Sequence, residues 1–413
     1  MPTAIHCGTL IDGNGGEPVR NAVIVIEDGA IMAVNSDGSI PAGADVIDAT
    51  GMTVMPGMID CHVHLMSSPP RGMEQRLATP FSLSVAEALK NAQTSLDHGF
   101  TTLRDAGGTP RGVRLAIEKG LFPGPRLRIA VSAISQTGGH GDATMANGVR
   151  LRVANAELPE NLVDGPEGAR KTTREILRAG ADQIKIMTSG GVLSPNDEPA
   201  ATGMTPDEIA AVVYEAHAAH KTVMSHAQAN QGILNAVLAG VESIEHGIYL
   251  DDRVIDEMLK RGTFLVATLI APVSVLRLAE ENPGSMPDYG VRKSKEVLVA
   301  HQASFKYAVE RGVRIAMGTD TGVGVHGTNA GELELMVAQG MSPMQAIVAT
   351  TKTAAECCTI ADKVGTIEPG KRADILAVLG DPLADISVLT RRESFQLIMH
   401  DGKAHKNELG GRA

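Results

Sequence analysis

The sequence predicts an α/β fold in which a long middle region forms a (β/α)8 barrel and the two ends build one small β domain. Three observations favour it. Amphipathic helices, most of them followed by Gly and a short apolar strand, alternate along the middle of the chain. Both ends carry short β-rich segments, and a length of 413 residues suits one large barrel with an appendage. An open, doubly wound parallel sheet fits the same alternation, so the pattern alone leaves that alternative open.

The composition indicates a folded protein with an aliphatic interior, since 43% of residues are hydrophobic, only 2% are aromatic and none is Trp. Few aromatic rings and a net charge of −11 argue against nucleic-acid binding. No apolar run approaches the ~18 residues of a membrane span, and the first residues do not resemble a signal peptide. The four cysteines show no disulfide framework, so we expect a cytoplasmic protein.

The β-rich segments at the two ends of the chain are separated by turns rich in Gly and Asp. They comprise residues 4–10, 22–27 and 30–34 near the N-terminus, and residues 373–379 and 395–399 near the C-terminus. Short segments of this kind are typical of hairpins in a small sheet. We therefore expect the two termini to share one β domain.

Eight strands are predicted in the middle of the chain, most of them following a helix. They comprise residues 54–64, 101–105, 126–131, 183–187, 222–226, 242–246, 264–267 and 314–320. Eight parallel βα units in about 300 residues are typical of a (β/α)8 barrel. In such a barrel the carboxyl ends of all strands meet at one mouth, where active sites form.

Ionisable side chains stand at the carboxyl ends of several of these strands. The set comprises His62, His64, Lys185, His226, His246 and Asp320. His62 and His64 lie two residues apart in a strand and so point to the same side. Imidazoles and a carboxylate suit a divalent transition metal such as Zn²⁺, whereas a buried, unpaired Lys185 would be costly. The sequence therefore predicts a metal site; packing, or helix capping by Asp320, is the alternative for each residue.

The remaining ionisable residues receive less specific interpretations. Asp105 is expected either to position a metal-ligand histidine or to pair with Arg104. Glu245 should point away from the mouth if its neighbour His246 points in. Seven other histidines are interpreted as surface or structural residues: His6, His98, His217, His220, His301, His400 and His405.

Three motifs carry a resemblance to a known family. Residues 55–64, Met-Pro-Gly-Met-Ile-Asp-Cys-His-Val-His, resemble the first-strand signature of the amidohydrolase superfamily. Residues 8–13 resemble that family's opening β segment, and residues 364–374 resemble its return into the β-sandwich. The resemblance implies an α/β protein with a (β/α)8 TIM barrel over residues 56–362. It also implies a small β-sandwich formed by residues 1–55 and 363–413.

The resemblance also implies a binuclear metal centre, for which we expect two Zn²⁺ ions. His62, His64 and Asp320 would hold the more buried metal, His226 and His246 the second, and Lys185, carboxylated by CO₂, would bind both. A hydroxide bridging the metals would attack an amide carbonyl, with Asp320 moving the proton. A scaffold relative without chemistry is the non-enzyme alternative, although such relatives usually lose metal ligands.

Further segments narrow the substrate class. Residues 135–142, 184–191 and 244–247 resemble the imidazolonepropionase-like branch of the superfamily. That branch includes Xaa-Pro dipeptidases (prolidases), carboxypeptidases releasing basic residues, and hydrolases of aryl-amide toxins. We therefore expect a metal-dependent hydrolase of small peptides or N-acyl amino acids, foremost an Xaa-Pro dipeptidase. The alternatives are hydrolysis of a non-peptide amide or carbamate, such as an ochratoxin-like aryl amide, and the carboxypeptidase activity.

Four residues are candidates for contact with the substrate. The resemblance gives His140 a place beside the substrate carbonyl or carboxylate, and therefore in catalysis. Gln228 stands where many of these dipeptidases have a tyrosine that helps to bind the substrate carboxylate. Tyr249 and His326 lie after strands six and eight and are further candidates. As partners we expect the small substrate and further copies of the chain in a homo-oligomer, and neither nucleic acid nor membrane.

Overall fold

The computed structural model describes residues 1–69, 75, 78–145, 147–150 and 155–410, so residues 411–413 of the expected second β-sandwich segment lie outside the described residues. The fold is mixed α/β with parallel sheets. The described strands are β1 (Thr3–Leu10), β2 (Val19–Arg20), β3 (Val23–Glu27), β4 (Ala30–Asn35), β5 (Asp45–Pro56), β6 (Met58–Val63), β7 (Phe100–Asp105), β8 (Arg126–Ile129), β9 (Ala133–Ile134), β10 (Gln183–Met187), β11 (Thr222–Ala227), β12 (Ser243–His246), β13 (Phe264–Val266), β14 (Ile375–Val378), β15 (Phe395–His400) and β16 (Lys403–Asn407).

Helices follow most of the parallel strands along the chain. The described α-helices are α1 (Phe81–Asp97), α2 (Arg111–Glu118), α3 (Pro166–Arg178), α4 (Pro206–Ala218), α5 (Asn230–Ala239), α6 (Asp252–Arg261), α7 (Ile270–Glu281), α8 (Asp288–Arg311), α9 (Gly331–Ala338), α10 (Pro343–Thr350) and α11 (Lys352–Cys357). The predicted glycine stops are confirmed for α5, α6 and α8, whose C-caps Gly240, Gly262 and Gly312 adopt left-handed backbone conformations. Within the described ranges no helix combines the length and apolar character needed to cross a bilayer.

Strands from both ends of the chain form one mixed sheet, in the order β16-β15-β14-β5-β1-β3-β4, with β2 paired to β1. The N- and C-terminal parts join where β14 runs antiparallel to β5 and Ile375 lies opposite Pro56. Alternating apolar residues of β1 and β3, including Ile5 and Ile24, are fully buried on one face of this sheet. The domain boundaries stay a prediction.

The predicted first strand, residues 54–64, is interrupted at Gly57 and contributes to two sheets. Val54 to Pro56 complete β5 in the mixed sheet, whereas β6 begins at Met58 and pairs with β7 in a parallel sheet. A Cβ atom on Gly57 would lie 2.2 Å from the Thr101 hydroxyl oxygen, so the close approach of the two chains requires glycine. The prediction of one continuous strand is therefore wrong, because the chain changes sheets here.

The parallel strands form two sheets, β6-β7-β8 and β13-β12-β11-β10-β9. The predicted third strand, residues 126–131, ends early at Ile129 as β8, and β9 begins beyond its range at Ala133, because Val131 between them has a φ of 65°. The predicted eighth strand is an extended segment rather than a ladder strand. Its Arg314 carbonyl accepts a hydrogen bond from the Leu265 amide in β13, and its Met317 carbonyl accepts one from the Cys61 amide in β6. This segment therefore connects the outer edges of both sheets.

Most residues of the parallel strands are buried, and the apolar residues among them are mainly aliphatic, as the composition predicts. Ile184 and Ile186 of β10 and Ile244 of β12 are fully inaccessible and belong to the largest apolar cluster. This packing fixes the carboxyl ends of the strands, from which the polar side chains described next project.

Candidate metal centre and substrate cleft

Three of the expected ligands converge at the strand ends. One ligand atom from each of His62, His246 and Asp320 lies within 4.8 Å of the other two. Asp320 Oδ1 is 3.5 Å from His62 Nε2 and 3.2 Å from His64 Nε2. His246 and Asp320 have positive φ angles of 73° and 59°, so each leaves strand geometry where its side chain enters the site. The histidines and the aspartate thus surround one small volume.

His226, Lys185 and His140 extend this cluster. The His226 ring lies 4.6 Å from the His246 ring and stacks on the His140 ring at 4.1 Å, measured between centroids. Lys185 is only 1% exposed. Within the described part of the chain, no hydrogen bond or ion pair engages its Nζ atom. The structure therefore leaves this amine, buried among the candidate ligands, free for another bond.

The second ring nitrogen of each candidate ligand has a partner that orients the ring. His62 Nδ1 lies 2.7 Å from Glu245 Oε2, His64 Nδ1 lies 3.1 Å from the Gly107 carbonyl oxygen, and His246 Nδ1 lies 2.7 Å from Thr268 Oγ1. These three rings therefore present Nε2 to the centre of the site.

His226 is held through Nε2, whereas the other three rings are held through Nδ1. Its Nε2 donates a hydrogen bond to the Gly190 carbonyl oxygen at 2.9 Å, which leaves Nδ1 with a lone pair. The four rings thus offer defined acceptor nitrogens, as metal ligation requires.

The electrostatic environment differs among the candidate histidine ligands, since burial favours the neutral form of His64 but its hydrogen bond and charge interaction with Asp320 outweigh burial and raise its pKa. Burial, together with neighbouring positive charges, lowers the pKa values of His62, His226 and His246 well below the usual range, so these rings are neutral near pH 7. Burial lowers the pKa of Lys185 to about 8, against the opposing attraction of Glu245 and Asp320. Burial opposes ionisation of Asp320, but His62, His64 and Lys185 outweigh it and lower the pKa of that carboxyl. Neutral imidazoles beside a carboxylate are a donor set that fits divalent transition metals.

Glu245 is the main orienting residue that sequence reasoning misplaced. It was expected to point away from the site, yet it is fully buried against His62 and its Oε1 accepts a hydrogen bond from Arg104 Nη2 at 3.0 Å. The alternation of side chains fails because His246, the last residue of β12, has a positive φ and so departs from regular strand geometry. Consecutive residues can then both face the interior.

The alternative interpretation of Asp105, a salt bridge with Arg104, does not hold, because Arg104 pairs with Glu245 instead. Asp105 accepts hydrogen bonds from the Leu65 and Gly107 amides. Since the Gly107 carbonyl accepts from His64, Asp105 holds the loop that orients this histidine, in line with its expected positioning role.

A second group of potential ligands lies at the mixed sheet and comprises Asp374, His400 and Asp401. Its carboxylates already have cationic partners. Arg126 donates to Asp374 and Asp401 at 2.7 Å each, and Arg372 donates to Asp401 at 2.8 Å. Because two guanidinium groups neutralise these carboxylates, the group is better explained as an ion-pair network than as a metal site.

A cleft opens beside the cluster. Its walls are mainly aliphatic and include Val192, Leu193, Ile248, Val275, Val297 and Val323. Its polar lining includes His140, Gln228 and His301, together with Asp320 from the cluster. His140 and Gln228 were expected to contact substrate, and the structure brings both to this cleft.

Tyr249 and His326, the other expected substrate contacts, are not among the described residues that line this cleft. Tyr249 is partly exposed and hydrogen-bonds through its main chain to Gln228 and Asn230. His326 Nε2 donates to the Ser67 carbonyl oxygen at 2.9 Å, which ties together the loops after β6 and before α9. A role for either residue in binding stays a prediction.

His301 reaches the cleft although the sequence assigned it a surface or structural role. It lies on α8, and its Nε2 approaches the carbonyl oxygens of Ala267 and His246 at 2.8 and 3.1 Å. Helical periodicity could have shown that His301 is buried, because Val297, His301 and Phe305 lie on one buried stripe of α8, but not that it borders the cleft.

The loop that holds His140 in place is anchored from the same helix. His140 Nδ1 lies 2.8 Å from Ser194 Oγ. Lys293 of α8 donates to the carbonyl oxygens of Ser194 and Gly191 at 2.8 and 3.1 Å, and also to that of Asp197. A buried ammonium group satisfied by main-chain carbonyls thus fixes one wall of the cleft.

The amidohydrolase family pattern matches residues 53–405, which is most of the chain. The chain belongs to the amidohydrolase family. This confirms the expected superfamily. The chain is a hydrolase acting on C–N bonds, and enzymes of this family act on small molecules.

Known proteins resemble this amidohydrolase over nearly its whole length. It is 34% identical to the ochratoxinase of Aspergillus niger, over 98% of this chain and 86% of that protein. A crystal structure of an Xaa-Pro dipeptidase with methionine bound in the active site is 34% identical, with a TM-score of 0.91 over 98% of this chain and all of that one. A prolidase complexed with N-methylphosphonate-L-proline has the same identity, TM-score and coverage.

Proposed function

We propose that this amidohydrolase uses two divalent metal ions to cleave the amide bond of small peptides or N-acyl amino acids, foremost Xaa-Pro dipeptides. The observation that carries the proposal is the convergence of His62 of β6, His246 of β12 and Asp320 of the extended segment that begins at residue 314. Ligands that lie far apart in sequence but within 4.8 Å in space are the geometry that a metal centre needs.

The proposal includes closure of the parallel strands into a (β/α)8 barrel. Residues 314–321 support it, because they hydrogen-bond to β13 on one side and to β6 on the other. At the opposite edges, β8 and β9 follow each other closely in the chain, and the Asp182 amide donates to the Ile129 carbonyl oxygen at 2.8 Å. The mixed sheet would then be the β-sandwich appended to the barrel.

Six residues would hold the metals, which we propose to be Zn²⁺. His62, His64 and Asp320 would bind one ion through Nε2, Nε2 and a carboxylate oxygen, and His226 and His246 would bind the other. Lys185 is suited to join them, since its lowered pKa increases the share of neutral amine that reacts with CO₂ to form an anionic carbamate. The absence of a hydrogen bond to Nζ from any described residue leaves this atom free to react.

Two divalent ions, when bound, would lower the pKa of water and polarise the amide carbonyl group. The protein residues account for the proton transfers. Asp320 is ionised, because its pKa lies below the usual range, and so accepts a proton from water. The same carboxyl then returns the proton to the leaving amine. His140, held by Ser194 beside His226, is placed to contact the substrate carbonyl or carboxylate.

The substrate class rests on the prolidase-like structures and the composition of the cleft. Aliphatic walls favour apolar substrates and disfavour the release of basic residues as the main activity. One observation favours a non-peptide amide or carbamate as the second candidate. Among the described residues that line the cleft there is no Lys or Arg to bind a free carboxylate, and Gln228 occupies the position of the expected tyrosine.

A substrate panel tests the proposal. The enzyme, loaded with Zn²⁺ and bicarbonate, is assayed for amine release from Xaa-Pro dipeptides, Xaa-Arg peptides, N-acyl amino acids and N-aryl amides. We expect turnover of Xaa-Pro dipeptides that is lost in Asp320→Asn and kept in Asp362→Asn, a matched change at an exposed position. Turnover of N-aryl amides alone would select the second candidate, and no turnover of any amide would refute the proposal.

Two expectations remain for solution measurements. That the chain forms a homo-oligomer stays a prediction from the resemblance, and light scattering coupled to size exclusion tests it. Its cytoplasmic location also stays a prediction, in line with four cysteines that are all free and buried.

A further inference from the structure

The cleft contains a buried amide group without a protein partner. Gln228 is 4% exposed and lines the cleft. Its main chain is fixed, since its amide donates to Ser189 Oγ and its carbonyl oxygen accepts from the Tyr249 amide. The side-chain Oε1, in contrast, is buried and receives no hydrogen bond from any described residue. Such an atom is rare in folded proteins and indicates a missing partner.

A second acceptor without a partner belongs to His301, which lines the same cleft. Its Nε2 faces two carbonyl oxygens, of Ala267 and His246, and therefore carries the proton. In a neutral ring the other nitrogen, Nδ1, then has only a lone pair to offer. That Nδ1 is buried and, within the described residues, has no hydrogen-bond partner.

The surroundings define what can satisfy these two acceptors. The walls beside them are aliphatic, and the cationic side chains of the described residues do not line the cleft. A carboxylate placed here would lose its hydration without gaining a cationic partner from the described lining residues, whereas an amino group shares the cleft with the carboxylate of Asp320. A group that donates N–H bonds and carries an apolar body would fill the walls and satisfy both acceptors.

We propose that this cleft is the subsite for the N-terminal residue of the substrate, with the N–H bonds of its α-amino group donating to Gln228 Oε1 and His301 Nδ1. The inference rests on the proposed function and specifies its substrate. In an Xaa-Pro dipeptide the proline nitrogen carries no hydrogen. The α-amino group is therefore the backbone N–H donor of the substrate. The aliphatic walls then select an apolar Xaa side chain.

A substrate pair that differs only in the amino group tests the subsite. Leu-Pro is compared with 4-methylpentanoyl-proline, which has the same carbon skeleton but hydrogen in place of the amino group. We expect kcat/KM to be about tenfold or more higher for Leu-Pro, because the analogue leaves both acceptors unpaired. Equal kcat/KM values for the two substrates would overturn the inference.

Substitutions test whether the two acceptors cause the preference for Leu-Pro over 4-methylpentanoyl-proline. Gln228→Met keeps the length of the side chain and removes one of the two acceptors, so we expect the preference for Leu-Pro to fall several-fold. His301→Gln keeps an N–H donor for the carbonyl oxygens of Ala267 and His246 but removes the Nδ1 acceptor. We therefore expect this change to reduce the preference for Leu-Pro in part. Gln231→Met, the same change at an exposed position of α5, is the control and should keep the wild-type preference. A preference unchanged in Gln228→Met would refute the assignment.

A binding measurement separates failure of the subsite from failure of the proposed function. Calorimetric titration with leucinamide and 4-methylpentanamide needs no turnover. We expect the wild type to bind leucinamide at least about tenfold more tightly than 4-methylpentanamide, and this difference to be smaller in Gln228→Met. If the enzyme hydrolyses no dipeptide but shows this difference, the subsite stands and the proposed activity falls. If the enzyme hydrolyses Leu-Pro but binds both amides with equal affinity, the proposed activity stands and the subsite assignment fails.

Discussion

At the scale of single residues, the candidate metal centre depends on the atoms that orient its histidines. Glu245, Gly107 and Thr268 each contact the Nδ1 atom of one ring, and Gly190 contacts Nε2 of His226. Each contact selects which nitrogen remains for a ligand bond. Of these partners Glu245 is the most consequential, because it is a fully buried charge that also pairs with Arg104.

Replacement of Glu245 by Gln tests this role. The amide keeps the size of the side chain but loses the negative charge that makes His62 a stronger donor to a metal. We expect affinity for Zn²⁺ to fall about 10- to 100-fold, measured by competition with a chelating dye. Glu296→Gln removes a carboxylate from an exposed pair and is the control. Equal metal affinity in Glu245→Gln and wild type would exclude the role assigned to Glu245.

The residues near the site show what sequence can and cannot predict. The positions of His62, His64, His226 and Asp320 at or just after predicted strand ends, and of Lys185 within β10, follow from periodicity and turn signals, and the structure places them together. The same sequence rules did not predict the places of two side chains, those of Glu245 and His301. Glu245 lies beside a residue with positive φ, which a period-of-two pattern cannot show. A lone histidine on a helix, such as His301, is indistinguishable in sequence from a packed one, because its function depends on which cleft the helix borders.

At the scale of elements, helix α7 borders the cleft and begins at a buried carboxyl group. Glu332 of α9 accepts hydrogen bonds from the Leu269 and Ile270 amides at 2.8 and 2.7 Å. Burial outweighs these bonds and raises the pKa of Glu332 from 4.5 to about 8. The folded protein therefore keeps a proton here that the unfolded chain has released near neutral pH.

This proton makes stability depend on pH. The contribution of Glu332 is fully present below pH 4.5 and is lost as the pH rises towards about 8, since only the folded state still binds the proton in that window. Denaturant titrations of wild type and Glu332→Gln should show a free energy of unfolding whose decline with pH is smaller in the variant. Glu334→Gln, two residues further along and exposed, should follow the wild type. Parallel pH profiles for wild type and Glu332→Gln would contradict the account.

The strand predictions succeed or fail for local reasons. Strands β7, β10 and β11 match their predicted ranges within one residue, because turns and apolar runs mark both ends. The sequence pattern over residues 54–64 does not show that the chain passes from one sheet to another at Gly57. The pattern over residues 126–131 does not show the positive φ of Val131. Such backbone changes depend on contacts with distant segments.

At the scale of the whole molecule, an ion-pair network joins the two kinds of sheet. Arg126 of β8 donates to Asp374, which precedes β14, and to Asp401, which follows β15. Asp374 is 5% exposed and also accepts from the Asp401 amide at 2.8 Å. The contacts link the terminal sheet to the strands that carry the site, and sequence reasoning gave no sign of them.

Asp374→Asn should weaken this connection. We expect the free energy of unfolding to fall by about 1.5–3 kcal/mol, because a hydrogen bond between charged groups is replaced by one to a neutral amide. Urea denaturation followed by circular dichroism measures the change, and Asp362→Asn at an exposed position is the control. Equal stability of the two variants would show that Arg126 does not stabilise the junction.

The central claim is that the polar cluster at the strand ends is a binuclear metal centre completed by Lys185. The most direct test is the metal content per chain, measured by inductively coupled plasma mass spectrometry after loading with Zn²⁺ and bicarbonate and removal of free metal. We expect two ions per wild-type chain and at most one in Lys185→Ala, because the variant lacks the shared ligand. One ion or fewer in the wild type, or two in the variant, would contradict the account.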